Sequence, residues 1–429
     1  MKTIMKITLI CFLIGLVLIS CNKSNDPAPV TGTLKGMVTS SSNGQAIGNV
    51  RILVYDANTN APIANSVLTQ SGGSYQIELA PGTYYLNLSK QGYNSVPFSG
   101  ITPVPVTVDA GIETTNDYQL QPSSVTNGGS LTGKVTSGGN GIGGVLVVAG
   151  DATKGYSSVT ATDGTYYIYN VPAGTYQVKG YLSNYNSAAL SVAVTAGAET
   201  SGNNIALTLG AGGTVTGLVS FLATNNGEVS VTLTNPLTKE TIPGLVTKTQ
   251  GGSYSITKVP DGTYIVRATY SNDDYVVDPD WILKNGEPIV TLSGNSVKQD
   301  FSVTGAVKLV SPTNEITTTR PIEITSLSPV FTWLAYSSTS DYVVEVSDIN
   351  GNVIWGGFTK NGATITKNIS VPKEQLSITF NSDGKATSTL KSNNIYRWRV
   401  YSSKDDNSSS TGWKLISVSE DQRGLFIVK

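Results

Sequence analysis

Apolar and polar residues alternate along most of the chain, which is the pattern of β-strands that bury one face. One arrangement of such strands occurs three times. Each copy opens with an apolar strand that holds a central glycine, at residues 34–38, 131–135 and 215–219. The next strand alternates at residues 50–54 and 229–233, whereas the second copy has consecutive apolar residues at 145–148. The pattern predicts three β-rich repeats.

Two turns, each followed by a tyrosine, are the most specific part of the repeat. The first turn gives Gly-Ser-Tyr at residues 73–75 and 252–254 and Asp-Gly-Thr-Tyr at 163–166. The second turn starts with proline and ends in Gly-Thr-Tyr, at residues 81–84, 172–176 and 260–264. Proline presets φ, glycine accepts a positive φ, and the aromatic residue starts the next strand. About seven strands in about 85 to 95 residues predict a two-sheet sandwich, and no segment of the mature chain has a helical period.

These motifs resemble the carboxypeptidase regulatory-like domain, a transthyretin-like sandwich that is also grouped with carbohydrate-binding-like folds. The resemblance covers about residues 31–305 and predicts domains at 31–122, 128–210 and 213–305. In carboxypeptidases this domain accompanies a zinc catalytic domain, and no catalytic domain is recognisable in this sequence. The third copy departs most from the pattern because it contains an insertion around residues 273–288. The resemblance implies a fold and says little about a ligand.

The last segment, residues 306–429, has a different pattern. It contains an apolar strand with Phe331 and Trp333, and later the strand Tyr396, Trp398, Val400, with arginines on the alternate face. These strands resemble a fibronectin type III-like sandwich. Four of the five tryptophans lie here, which predicts a well-packed core. The predicted fold class is therefore all-β: tandem Ig-like and transthyretin-like sandwiches, three repeats plus one fibronectin III-like domain.

Composition excludes several functions. The 429 residues include no histidine, and the two cysteines, Cys11 and Cys21, both lie near the N-terminus. The body therefore lacks Ser/His/Asp triads, disulfides and thiolate metal sites. A net charge of −1 without a basic cluster argues against nucleic acid as a partner. We expect no enzyme activity and no cofactor, and a glycan-active enzyme that uses Asp and Glu is a remote alternative.

The N-terminus predicts a location outside the cytoplasm. Residues 1–20 have a basic start, an apolar run and a small residue before the cleavage point, as in a secretory signal peptide. Residues 18–21 resemble the lipobox of bacterial lipoproteins, which implies lipidation of Cys21. Residues 21–30 are a polar tether, and Asn22 after the cysteine favours the outer membrane by the same resemblance. The alternative is an ordinary signal peptide with an incidental cysteine.

Tyrosines outside the repeat framework are the best candidates for a ligand surface. By strand periodicity Tyr167 and Tyr169 face away from the core and toward solvent, and Tyr181 and Tyr185 lie nearby in the same copy. Edge strands also carry tyrosines that bind nothing. The tyrosines at equivalent repeat positions are better interpreted as core residues whose hydroxyls reach a loop.

An acidic cluster in the third copy is a weak calcium candidate. Asp273, Asp274, Asp278 and Asp280 lie beside Trp281, and calcium prefers six to eight oxygen ligands. The spacing matches no calcium loop, so a solvated acidic loop is the favoured interpretation.

The predicted function is a non-enzymatic cell-envelope lipoprotein that binds or presents other molecules. It is anchored in a membrane through its lipid, on the periplasmic side or at the cell surface. Its four sandwiches would form an extended rod, and its partner would be a polysaccharide or another envelope protein. The alternative is a purely structural spacer or assembly subunit whose modules pair through sheet edges.

Overall fold

The computed structural model describes residues 30–97, 105–222, 227–268, 274–314, 321–348, 351–392 and 394–429. Within these ranges the chain consists of β-strands and one short helix, so the predicted all-β fold is confirmed. The strands form four successive sandwiches, which we call the first to fourth domains.

The first domain contains two packed sheets, and its core lies between them. Its described strands are β1 Gly32–Ser40, β2 Arg51–Asp56, β3 Val67–Leu68, β4 Ser74–Leu79, β5 Gly82–Lys90, β6 Tyr93–Val96, β7 Val106–Val108, β8 Glu113–Thr115 and β9 Tyr118–Leu120. One sheet has the order β4-β1-β8, with β9 also on β1. The other has the order β3-β2-β5-β6, with β7 also on β5.

The second and third domains repeat this topology. The second consists of β10 Gly129–Ser137, β11 Asn140–Gly141, β12 Leu146–Gly150, β13 Gly155–Val159, β14 Thr165–Val171, β15 Gly174–Tyr181, β16 Tyr185–Ser187, β17 Leu190–Val194, β18 Glu199–Thr200 and β19 Ile205–Leu209. The third has, in its described part, β20 Gly213–Phe221, β21 Val229–Thr234, β22 Thr241–Thr249, β23 Gly252–Val259, β24 Gly262–Ala268, β25 Tyr275–Val277, α1 Pro279–Asn285, β26 Ile289–Leu292, β27 Ser296–Lys298 and β28 Phe301–Gly305. In each domain the first strand pairs antiparallel with the strand after the first tyrosine turn and parallel with the closing strands.

The glycine of the first strand and the first repeated tyrosine belong to one local arrangement. Gly36 lies directly opposite Tyr75 across the sheet, and the same register recurs in the other two repeats. The Tyr75 hydroxyl donates to the Asn116 carbonyl oxygen at 2.5 Å. A Cβ atom on Gly36 would lie 2.1 Å from that same oxygen. Glycine is therefore required there because the tyrosine and its carbonyl partner occupy the space of a side chain.

The short helix α1 lies in the insertion of the third domain, where the sequence shows no helical period. Asp278 caps its N-terminus by accepting from the backbone N–H groups of Asp280 and Trp281, and Pro279 occupies the first turn. Both features favour helix initiation. A helix of seven residues is too short to show a 3.6-residue period in the sequence, which is why pattern analysis missed it.

The fourth domain has a different topology. Its described strands are β29 Leu309–Ser311, β30 Ile322–Ile324, β31 Val330–Trp333, β32 Asp341–Asp348, β33 Val353–Gly356, β34 Phe358–Asn361, β35 Thr364–Lys367, β36 Val371–Pro372, β37 Ser377–Thr379, β38 Ile395–Asp405, β39 Trp413–Val418 and β40 Leu425–Val428. They form a large sheet of order β30-β40-β38-β32-β33, a smaller sheet of order β29-β31-β37 and the hairpin β34-β35. Tyr396, Trp398 and Val400 are buried as predicted. The fibronectin III-like resemblance stays a prediction.

An ion pair joins the hairpin of the fourth domain to its large sheet. The Lys367 Nζ atom lies 2.7 Å and 2.9 Å from the two carboxylate oxygens of Asp341, and 4.6 Å from the Trp413 ring centre. Burial alone would raise the pKa of the Asp341 carboxyl. Hydrogen bonds from Lys367, Ser370 and Ser403 outweigh burial and hold that pKa below its ordinary value.

Some strands are buried on both faces because adjacent domains pack against each other. In β12, Val147 and Ala149 belong to the core of the second domain, whereas Leu146 and Val148 belong to the core of the third. In β2, Ile52 and Val54 face the first domain's core, and Leu53 and Tyr55 pack against Ala161 of the second domain. The third domain's core thus continues into the second domain, and a separate small apolar cluster joins the first and second domains.

The domains do not form the extended rod that the sequence suggested. The Gln121 side chain of the segment after the first domain donates to Asn394 of the fourth at 3.2 Å. Lys429, the last residue, donates to Gln119 of the first domain at 2.8 Å. The first and fourth domains are therefore neighbours, and strand patterns cannot reveal this because they describe one domain at a time.

Candidate functional site

The repeated tyrosines are structural. Tyr75, Tyr166 and Tyr254 are buried, and their hydroxyls donate to loop carbonyl oxygens at 2.5–2.7 Å. The second set, Tyr84, Tyr176 and Tyr264, donates to the carbonyl oxygen four residues earlier at 2.8–2.9 Å. The predicted role in core packing, with the hydroxyl reaching a loop, is confirmed.

Tyr167 and Tyr169 lie on the outer face of β14, and Arg51 of the first domain packs against this face. Their rings stack with centres 6.2 Å apart, and the Arg51 guanidinium lies 3.5 Å above the Tyr167 ring centre. The Arg51 Nε atom lies 3.5 Å from the Tyr169 hydroxyl. Both rings are half-buried. A ligand surface here stays a prediction, and the contacts shown join two domains.

Tyr181 and Tyr185 are also half-buried, and they do not extend the row of Tyr167 and Tyr169. The Tyr181 ring packs against the third domain, edge-on to Tyr264 at a centre distance of 6.2 Å. Tyr185 packs against the second domain's own core and pairs with Leu209 in the sheet. The four tyrosines therefore lie in three different environments: against the first domain, against the third domain and against the core of the second domain.

The carboxylates of the acidic cluster have separate partners. Asp278 caps α1, and Asp280 pairs with Lys284 at 2.6 Å and accepts from the Leu415 amide at 3.0 Å. Asp274 pairs with Lys308 at 2.7 Å. Asp273 lies outside the described residues. Within the described ranges, no group of three or more Asp, Glu, Cys or His residues is placed to hold a metal ion.

Cys21, the signal peptide and most of the tether lie outside the described residues. In the ranges that are described, no helix has the length and apolar character needed to cross a membrane. Lipidation of Cys21 stays a prediction from the sequence.

A cavity of about 370 Å³ lies between the third and fourth domains. The third domain supplies mainly apolar side chains from β24, β25 and α1. The fourth domain supplies mainly polar and aromatic side chains. The lining residues used below are Val277, Ile282, Leu283, Arg267, Glu287, Glu345, Phe358, Arg399, Tyr401, Glu420 and Asp421.

Charged groups from both domains meet in this cavity. Arg267 of the third domain donates from Nε to Glu287 at 2.7 Å and lies 3.9 Å from Asp421 of the fourth. Asp421 also pairs with Arg399. Burial would raise the pKa of Asp421, but Arg399, Arg397 and Arg267 hold it below its ordinary value. These four paired side chains still keep 22–26% of their surface accessible, so they can also bond to a ligand.

The hydrogen-bonding capacity of the Glu345 carboxyl group is used less fully than that of its neighbours. Its Oε1 atom accepts from the Tyr401 hydroxyl at 3.4 Å, which is a long hydrogen bond. Burial raises the pKa of the Glu345 carboxyl, and Arg399, which lies opposite it across the sheet, opposes that rise. The cavity therefore contains a carboxyl group with hydrogen-bonding capacity to spare.

Two of the four carboxylates that line the cavity are held in ion pairs. Asp421 is committed to Arg399 and Arg267, and Glu287 to Arg267 and Lys239. The sequence signal that could have indicated this site was the pair Arg397 and Arg399, placed on the alternate face of an apolar strand.

Residues 33–121 match the family model described as carboxypeptidase regulatory-like domain. The first domain thus matches the carboxypeptidase regulatory-like family. This confirms the resemblance for that part of the chain. Comparison with curated proteins gives no match.

Solved structures with related folds share little sequence with this chain. The Bacillus anthracis TIE protein is 16% identical, over 64% of this chain and 51% of its own, with a TM-score of 0.19. A leucine-rich repeat protein from Bacteroides thetaiotaomicron is 17% identical, over 42% and 26%, with a TM-score of 0.23. BcpA, the major pilin subunit of Bacillus cereus, is 12% identical, over 64% and 100%, with a TM-score of 0.19. This chain thus spans about half of the first structure and a quarter of the second.

Proposed function

We propose that this protein is a non-enzymatic scaffold of the cell envelope that holds four β-sandwiches, beginning with a carboxypeptidase regulatory-like domain, in fixed relative positions. It is anchored through a lipid on Cys21, and it binds carbohydrate or another envelope protein. The observation that carries the proposal is the continuity of the third domain's core into the second domain.

The contacts between domains support a rigid scaffold. Leu146 and Val148 of the second domain complete the third domain's core. Polar contacts reinforce this boundary: Lys179 donates to the Asp261 carbonyl oxygen at 2.7 Å, and the Asn184 amide donates to the Lys258 carbonyl oxygen at 2.8 Å. Domains joined by small polar interfaces move relative to each other, whereas packed apolar interfaces restrict such motion.

The sequence supports the envelope location and the absence of catalysis. The lipobox-like residues 18–21 and the polar residues that follow favour a tethered protein outside the cytoplasm. The chain has no histidine, and in the cavity Glu287 and Asp421 are held in ion pairs with Arg267 and Arg399. A binding role is compatible with these ion pairs, because paired side chains can still form hydrogen bonds with a ligand.

Two measurements test this function with the full chain expressed in a bacterium that processes lipoproteins. A labelled fatty acid supplied to the cells is expected to label the wild-type protein and not the Cys21→Ala variant. The detergent-solubilised protein is then expected to retain isolated envelope polysaccharide or an envelope protein in a pull-down. Absence of the label would contradict the anchor. A labelled protein that retains neither partner would favour the spacer alternative.

A further inference from the structure

We propose that the cavity between the third and fourth domains binds a small neutral polyhydroxy ligand, a monosaccharide or disaccharide unit. The inference rests on the proposed function, because the cavity exists only while the two domains keep their relative positions. It goes further by naming the site and the ligand class.

The size of the cavity limits what can enter. Its volume of about 370 Å³ lies near the lower end of the range of about 300–1,000 Å³ typical of small-molecule sites. One or two sugar rings fit this space, and a folded protein segment or a long glycan chain does not. The ligand would therefore be a free saccharide or the end of a polysaccharide.

The polar groups in the cavity require a ligand that both donates and accepts hydrogen bonds. Arg267 and Arg399 provide donors, while Asp421 and Glu287 provide acceptors, and all four keep accessible surface. Glu345 adds a carboxyl group with one long hydrogen bond. A hydroxyl group can donate to a carboxylate and accept from a guanidinium at the same time, so adjacent hydroxyls on one ring match this lining.

The charge balance argues against an ionic ligand. Four carboxyl groups line the cavity, on Glu287, Glu345, Glu420 and Asp421. Four basic groups face them: Arg267 and Arg399 in the lining, Arg397 acting on Glu345 and Asp421, and Lys239 paired with Glu287 at 3.6 Å. The lining itself holds two more acidic than basic groups, and Arg397 and Lys239 beside it offset this excess, so neither an anion nor a cation gains a large net attraction that would offset its desolvation.

The remaining wall suits the C–H face of a sugar ring. Val277, Ile282 and Leu283 supply an apolar surface from the third domain. On the other side, the Phe358 and Tyr401 rings meet edge to face with centres 5.1 Å apart. A saccharide presents hydroxyls at its edge and C–H groups on its faces, so its two kinds of surface correspond to the two kinds of wall.

The test measures binding of neutral monosaccharides and disaccharides to the full-length protein on a glycan array, followed by calorimetric titration of those retained. Hexyltrimethylammonium and hexanoate serve as charged probes. Ile282→Trp fills the cavity from α1, and Ile289→Trp is the matched control because Ile289 is exposed and outside the lining. We expect a neutral saccharide to bind, Ile282→Trp to weaken it at least tenfold, and Ile289→Trp to leave it unchanged.

A second variant keeps the test independent of the bulky substitution. Glu345→Gln preserves shape and removes the charge-assisted hydrogen bond, so it is expected to weaken binding about tenfold. Failure of every neutral saccharide to bind, or binding of the charged probes alone, overturns the inference. Saccharide binding that is unaffected by Ile282→Trp and Glu345→Gln overturns the cavity site and leaves the proposed function standing. Shortening of a bound disaccharide would contradict the non-enzymatic function and still support the site.

Discussion

Replacing Leu146 by alanine is expected to destabilise the third domain, although Leu146 belongs to the second. Leu146 is 1% exposed, and its row with Val159 and Tyr181 on the adjacent strands packs against the third domain's core. When the third domain opens while the second stays folded, this side chain becomes exposed. Its burial therefore contributes to the free energy of opening the third domain.

The magnitude follows from the atoms removed. Leu146→Ala deletes three buried carbon groups, at about 0.8 kcal/mol each, which gives about 2.5 kcal/mol before any cavity penalty. Because 1.4 kcal/mol corresponds to a factor of ten, amide hydrogen exchange from the core strands of the third domain is expected to accelerate about 60-fold. Mass spectrometry of peptides from β20, β23 and β24 reports this rate.

Leu131→Ala is the matched control. Leu131 is fully buried in the second domain's own core and makes no part of the third domain's core cluster. It is expected to accelerate exchange in the second domain and to leave the third unchanged. Unchanged exchange of the third domain in Leu146→Ala, or an equal response of that domain to both variants, would refute the idea of shared cores.

Three further predictions concern other contacts. A double-mutant cycle of Arg51→Ala and Tyr167→Leu, followed by urea unfolding, is expected to give a coupling of about 1 kcal/mol from the cation–π contact; additive effects would contradict it. Asp341→Asn leaves Lys367 without its buried partner and is expected to lower the free energy of unfolding by about 3 kcal/mol at pH 7. The pKa of Asp341 is lower in the folded protein than in the unfolded chain. The ion pair therefore stabilises the fold above the unfolded pKa, and this stabilisation is lost as the pH falls below about 4. Below that pH, the urea midpoints of the wild type and Asp341→Asn should converge. Asp278→Ala removes the cap of α1 and should cost about 1 kcal/mol, seen as faster amide exchange in the helix, whereas Asp278→Asn should preserve most of the cap.

Strand pattern was sufficient to predict the fold within each domain. The alternation of Ile52 and Val54 assigned the inner face of β2 correctly, and the repeated turns located the hairpins. Pattern could also have indicated the packing between domains. The consecutive apolar residues 145–149 of the second copy are typical of a strand buried on both faces. The outer half of that run packs against the third domain's core.

The cavity between the third and fourth domains could not be predicted from strand pattern. Arg399 was placed correctly on the face of β38 opposite Trp398, but its partner Asp421 lies in an irregular segment, and Arg267 lies in another domain. No periodicity relates these three residues. Their meeting depends on how the third domain packs on the fourth, which is set by many contacts of which each is individually weak.

The contrast between two domain boundaries supports a binding role for the cavity. The second and third domains are joined through apolar side chains, which costs little desolvation. The third and fourth meet partly through the half-buried ion pair of Arg267 with Asp421, and such a pair generally stabilises an interface less than packed apolar residues of similar size. Charged residues are only 13% of this chain, yet six of them line one cavity. An interface that served only to join domains would be more stable with apolar residues there, so these side chains are better explained by recognition of a polar ligand.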